Sequence, residues 1–90
     1  MSNDILWAEA ILGKEASDFA ESDIGRYLIG RCDQEIAEAQ EKLNVVSSWR
    51  TKRITQLQNE IWRATSLKSW LAELIQAGRQ AEKLLEGYDE

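Results

Sequence analysis

Arg50, Lys52, Arg53, Arg63 and Lys68 are the residues best equipped to do chemistry, and Trp49 precedes them. Guanidinium and ammonium groups displace counterions from phosphates, and an aromatic ring offers a base a face to stack on. Arg50, Lys52, Arg53 and Arg63 therefore form a candidate phosphate-binding patch. Three of these fall at the start of a predicted helix, where the helix dipole favours acids. Something negative must offset that arrangement. One source is a bound ligand. The other is Asp33, Glu35, Glu38 and Glu41 on the preceding helix. Internal pairing is favoured, because the patch is short, no recognition-helix motif accompanies it, and the segments on either side are acidic. Nucleic acid is accordingly the second choice of partner.

The chain offers few other reactive groups. It contains no histidine and one cysteine, Cys32. That removes the commonest general base, the commonest transition-metal ligand and every Ser-His or Cys-His pair. One cysteine cannot build a structural zinc site or an internal disulfide. The segment Gly25-Arg26-Tyr27-Leu28-Ile29-Gly30 has neither the spacing of a phosphate loop nor the lysine that follows one. Glu35, Glu38 and Glu41 recur at three-residue steps. Di-metal bundles combine glutamate with histidine at that spacing, so a solvated acidic face is the simpler reading. Cys32 lies on an apolar seam and reads as a small buried residue. The expectation is a protein that is not an enzyme and uses no cofactor or metal.

Ninety residues with no proline and 30% charged side chains suit one small helical domain, 1–90. Net charge is −5, unevenly spread. Residues 1–41 hold ten acids and three bases, residues 42–72 six bases and one acid, and residues 73–90 five acids and two bases. A basic island thus sits between acidic ends. No apolar run approaches the ~20 residues that span a bilayer, residues 1–15 do not read as a signal peptide, and a lone cysteine suits a reducing compartment. A cytoplasmic protein with no membrane association is expected.

Three helices must position these groups. Helix 1 is predicted over about 3–20, capped by Asn3 or Asp4, with Ile5, Ala8, Ile11 or Leu12, Ala16 and Phe19 inward and Trp7 alongside. Gly13 interrupts it. Ser22-Asp23 starts helix 2, about 23–43, whose seam reads Ile24, Leu28, Cys32, Ile36, Ala39 and Leu43. Gly25 and Gly30 permit a close approach of another backbone or mark a kink between helices 1 and 2. Asn44 is read as the end of helix 2, and Ser47 or Ser48 as the cap of helix 3.

Helix 3, about 48–86, carries apolar or small residues at Ile54, Leu57, Ile61, Ala64, Leu67, Leu71, Leu74, Gly78, Ala81, Leu85 and Tyr88. This is a heptad seam with one residue dropped between Ala64 and Leu67. The short connection makes helices 2 and 3 an antiparallel hairpin. At ~1.5 Å per residue helix 3 is roughly 58 Å long and helix 2 roughly 31 Å. Helix 2 then covers only the first half of helix 3, and helix 1 completes or extends the bundle over the second. The predicted fold is all-α.

Trp62, Trp70 and Ile75 widen the seam of helix 3 between residues 61 and 75 beyond what one helix covers. One reading is that helix 1, with Trp7 and Phe19, completes a three-helix core. The other is that Ile61, Trp62, Leu67, Trp70, Leu71, Leu74 and Ile75 are a candidate oligomer or partner interface, since tryptophan is enriched at interfaces. A small core without staples also favours a homo-oligomer.

The run Asp23-Ile24-Gly25-Arg26-Tyr27-Leu28-Ile29-Gly30-Arg31, with Leu57-Gln58-Asn59-Glu60-Ile61-Trp62-Arg63-Ala64 and Trp70-Leu71, resembles short helical proteins of unknown function encoded in tailed-bacteriophage genomes. The likeness spans most of the chain. It implies a small phage product in the host bacterial cytoplasm, acting in particle assembly or host takeover, and supplies no active-site residues. The expected function is a non-enzymatic, self-associating assembly or interaction protein. The alternative is a nucleic-acid-associated adaptor that uses the basic patch.

Overall fold

The computed structural model describes residues 3–88, without the side chain of Tyr88, which places that predicted seam residue outside the described side chains. Among the described residues there are three α-helices and no strand: α1 (Asn3–Glu21), α2 (Asp23–Val45) and α3 (Thr51–Tyr88). The fold is all-α. The chain divides into two compact units, one comprising Met1–Arg26 and Trp70–Glu90, the other Tyr27–Ser69.

In the first unit α1 runs antiparallel to the second half of α3. Leu6 and Ala10 bury against Ala81 and Leu85. One turn further along, Gly13 meets Gly78. A Cβ added to Gly13 would lie 2.5 Å from the Gly78 Cα and 2.8 Å from the Leu74 carbonyl oxygen. Both glycines are therefore required by contact between backbones rather than by an unusual φ, since among the described residues no φ is positive. This explains a glycine that the helical pattern alone treats as an interruption.

The close approach also turns α1 away from its predicted orientation. Leu6, Ala10, Gly13 and Ala16 are the buried residues of the helix. Of the expected inward set only Ala16 is buried, whereas Ile5, Ala8, Ile11, Leu12 and Phe19 are exposed. Two backbones in contact leave no room for large side chains between them, so around Gly13 the contact line follows Ala10 and Ala16, and a large residue, Leu6, enters only nearer the start of the helix.

Helices α1 and α2 are separate, joined at Ser22. The Ser22 amide donates to the carbonyls of Asp18 (3.0 Å) and Phe19 (3.1 Å), closing α1. Its hydroxyl donates to the Phe19 carbonyl at 2.6 Å and accepts from the Gly25 amide at 3.0 Å, capping α2. A Cβ on Gly25 would overlap the Phe19 carbonyl. Gly25 is thus the residue that permits the corner. Gly30 has open space around it and permits nothing.

The second unit is the antiparallel hairpin. Cys32 and Ala39 of α2 and Leu57 and Ala64 of α3 are buried, and Ile36, Leu43, Ile54 and Ile61 are half-buried. The α2 seam holds from Cys32 onward, while Leu28 and, in the first unit, Ile24 face solvent. Helix α2 runs past Asn44 to Val45, so Asn44 is not its left-handed end. Helix α3 begins at Thr51 rather than Ser48: the Arg50 amide donates to the Ser47 carbonyl (3.0 Å) and the Arg50 carbonyl accepts the Ile54 amide (3.1 Å).

The seam of α3 needs one correction. Leu67, placed inward by its hydrophobicity, is 53% exposed, and Lys68 is the partly covered residue beside it. Lys68 lays its alkyl stem along the seam and its ammonium pairs with the Asp33 carboxylate of α2. With Lys68 in the seam, Leu57, Ile61, Ala64 and Lys68 follow unbroken heptad steps. Leu71, Ile75 and Gly78 keep the same phase, and the single short step moves to Gly78–Ala81.

Candidate functional site

The groove and ridges of the first unit define its two flanks. Lys14, Ser17 and Asp18 of α1 line a depression with Ile75, Arg79 and Glu82 of α3. Trp7, Ile11 and Lys14 line a second one with Glu82, Leu85 and Glu86. These residues fix one flank of the helix pair as mixed polar and aromatic. At ~100° per residue the opposite flank of α1 carries Ile5, Ala8, Leu12 and Phe19. The same arithmetic puts Trp70, Leu74, Ala77 and Leu84 on the corresponding flank of α3. Because the helices are antiparallel, the two rows lie on one side of the pair.

That side is apolar and uncovered in a single chain. Ile5 is 51% exposed, Leu12 50%, Phe19 37%, Trp70 56%, Leu74 41% and Leu84 54%. Ala16 and Ala81, both buried, lie between the two ridges. Glu9, Glu15 and Glu73 are the charged residues that helical phase assigns to this side or its edges, and all three are acidic.

The residues expected at an interface on α3 distribute as follows. In the second unit Ile61 is half-buried, and Trp62 and Leu67 are exposed; in the first, Leu71 and Ile75 are half-buried, and Trp70 and Leu74 are exposed. Ile75 lines a depression with α1 residues of its own unit. Trp62 points from the side of α3 opposite Leu57. Trp7 and Phe19 do not enter a core with α3, so the three-helix-core reading of the tryptophans does not describe either unit. All four tryptophans face solvent. What the sequence reading missed is the α1 row. Its spacing, Ile5-Leu12-Phe19 with Ala8 between, reads from the sequence alone as an inward face.

The basic patch separates into two parts. Arg63 pairs with Glu35 of α2 at 3.8 Å, and Lys68 pairs with Asp33. Among the described residues no carboxylate pairs with Arg50, Lys52 or Arg53. They line an open depression with Trp49, Thr51 and Gln56 at the amino end of α3. Glu38 accepts from the Gln34 amide at 3.0 Å instead. Helical phase turns Glu38 and Glu41 outward from the hairpin contact, which is why the expected pairing of Arg50, Lys52 and Arg53 with the acids of α2 does not form.

Cys32 is a buried free thiol in the seam. Among the described residues no group of three or more His, Cys, Asp or Glu side chains is placed to hold a metal ion. None of the described helices is long and apolar enough to cross a membrane. No family model, curated protein or solved structure matches the chain.

Proposed function

We propose that this is a non-enzymatic, self-associating helical protein of assembly or interaction, phage-encoded and working in the host bacterial cytoplasm. The observation that carries the reading is the apolar side of the first unit, where six large side chains stay uncovered in a single chain. Soluble proteins rarely leave a contiguous apolar patch of several hundred Å² open without a partner for it. The phage origin rests on the resemblance of residues 23–31, 57–64 and 70–71. The test is absolute mass by light scattering on a sizing column for wild type and Trp70→Glu. A wild-type oligomer that dissociates in the variant supports the reading; a folded wild-type monomer contradicts it.

A second reading has its own support. Arg50, Lys52 and Arg53, which no carboxylate pairs with among the described residues, flank an exposed Trp49. Such a site suits the phosphate backbone of a nucleic acid, with the indole stacking on a base. DNA retention that falls steeply with salt, and that is lost in Arg50→Ala/Arg53→Ala, distinguishes this adaptor reading from the assembly reading.

A further inference from the structure

We infer that a second copy of this chain covers the apolar side of the first unit, forming a two-fold, four-helix dimer from α1 and the second half of α3 of each protomer. The inference rests on the self-association reading and narrows it to one surface and one stoichiometry. Three observations carry it.

The first is spacing. Ile5, Leu12 and Phe19 recur every seven residues on one ridge, and Trp70, Ala77 and Leu84 do so on the other. Seven-residue rows keep facing a partner only if its helices run alongside at a shallow angle for the whole length. The α1/α3 pair of a second copy offers two such rows with the same separation. A two-fold axis between the ridges brings each protomer's pair onto the other's, the self-complementary contact that symmetric dimers use.

The second is area. From their exposures, the six large side chains of this side present about 600 Å² per protomer, taking side-chain areas of the size known for aromatic and large aliphatic groups. Covering both copies removes about 1,200 Å², the size at which specific interfaces begin. A single foreign helix in the valley would touch only the inner flanks of the ridges.

The third is the shape between the ridges. Gly13 and Gly78 set the helices so close, with Ala16 and Ala81 buried between the rows, that the ridges form one broad face rather than two. Glu9, one heptad before Ala16, shares its place between the ridges, and Glu15 and Glu73 lie at the edges; these carboxylates repel in the dimer and weaken it.

Sedimentation equilibrium of the full chain tests this with wild type, Leu12→Glu on the α1 ridge, Leu84→Lys on the α3 ridge, and Trp62→Glu as a control outside the face. Helical content by circular dichroism accompanies each. The expected result is wild type and Trp62→Glu at twice the 10.3 kDa chain mass, with Leu12→Glu and Leu84→Lys at 10.3 kDa and unchanged helicity. Leu12 and Leu84 are about half exposed in the single chain, so either variant folds as a monomer. A wild-type oligomer that persists in both ridge variants overturns this surface while leaving self-association standing. A mass above two copies overturns the closed pairing. A wild-type monomer overturns self-association itself.

Discussion

Gly13 of α1 and Gly78 of α3 touch backbone to backbone: a Cβ on Gly78 would lie 2.6 Å from the Gly13 Cα and 3.1 Å from the Glu9 carbonyl oxygen. Neither neighbour is a flexible side-chain tip that could move aside. Gly78→Ala is therefore expected to lower stability by about 1–3 kcal/mol, the cost of overpacking a close contact. Urea unfolding of the variant measures it. Gly30, with nothing within 4 Å of an added Cβ, gives the opposite sign. Gly30→Ala gains about 0.5–1 kcal/mol from helix propensity and a stiffer unfolded chain.

The Ser22 corner gives a second pair of outcomes. Ser22→Ala loses the cap on the Gly25 amide and destabilises by about 1 kcal/mol. Gly25→Ala must open the corner itself, because its Cβ would collide with the Phe19 carbonyl, so its loss exceeds that of Ser22→Ala. Thermal unfolding of the two variants side by side checks the order.

Lys68 occupies a seam position but pairs with Asp33 across the hairpin, with its side chain 39% exposed. A partly exposed pair is worth at most about 1 kcal/mol. Lys68→Met keeps the stem and removes the charge, so it leaves stability unchanged or slightly raised. Asp33→Ala loses no more than the pair is worth. A denaturation midpoint lowered in Lys68→Met by more than in Asp33→Ala would show that the ion pair, not the stem, fills the position.

Salt separates the two faces. Dimerisation across Glu9, Glu15 and Glu73 sets like charges near one another, so added salt screens their repulsion and tightens the dimer. Nucleic-acid retention by Arg50, Lys52 and Arg53 weakens with salt, because counterion release drives it. Sedimentation and filter retention over one salt series read the two trends.

The helices themselves were legible in the sequence. Alternating three- and four-residue steps gave α3, Ser22-Asp23 marked the start of α2, and length gave α2 to the first half of α3 and α1 to the second. The heptad phase was legible only where apolar residues held it. At Leu67-Lys68 the pattern favours the leucine, yet the structure seats the lysine stem and satisfies its charge with Asp33. In α1 the large residues Ile5, Leu12 and Phe19 outweighed the small ones in any reading by hydrophobicity. Nothing local says that Gly13 will meet Gly78, sixty-five positions away. Once that contact exists, Ala10, Gly13 and Ala16 go inward together with Leu6, and Ile5, Leu12 and Phe19 are turned outward. The sequence pattern therefore singles out Trp70 and Leu74, which the structure leaves exposed, but not the exposed α1 row beside them.

The most direct test is the solvent accessibility of Trp70 itself. Wild-type protein labelled with 5-fluorotryptophan gives one ¹⁹F resonance for each of Trp7, Trp49, Trp62 and Trp70, each assigned by single substitution. A soluble paramagnetic probe then reports which rings meet water across a dilution series. Association through the α1/α3 face predicts that Trp70 is shielded at high concentration and becomes accessible on dilution, while Trp49 and Trp62 stay accessible throughout. A Trp70 signal equally accessible at every concentration would contradict it.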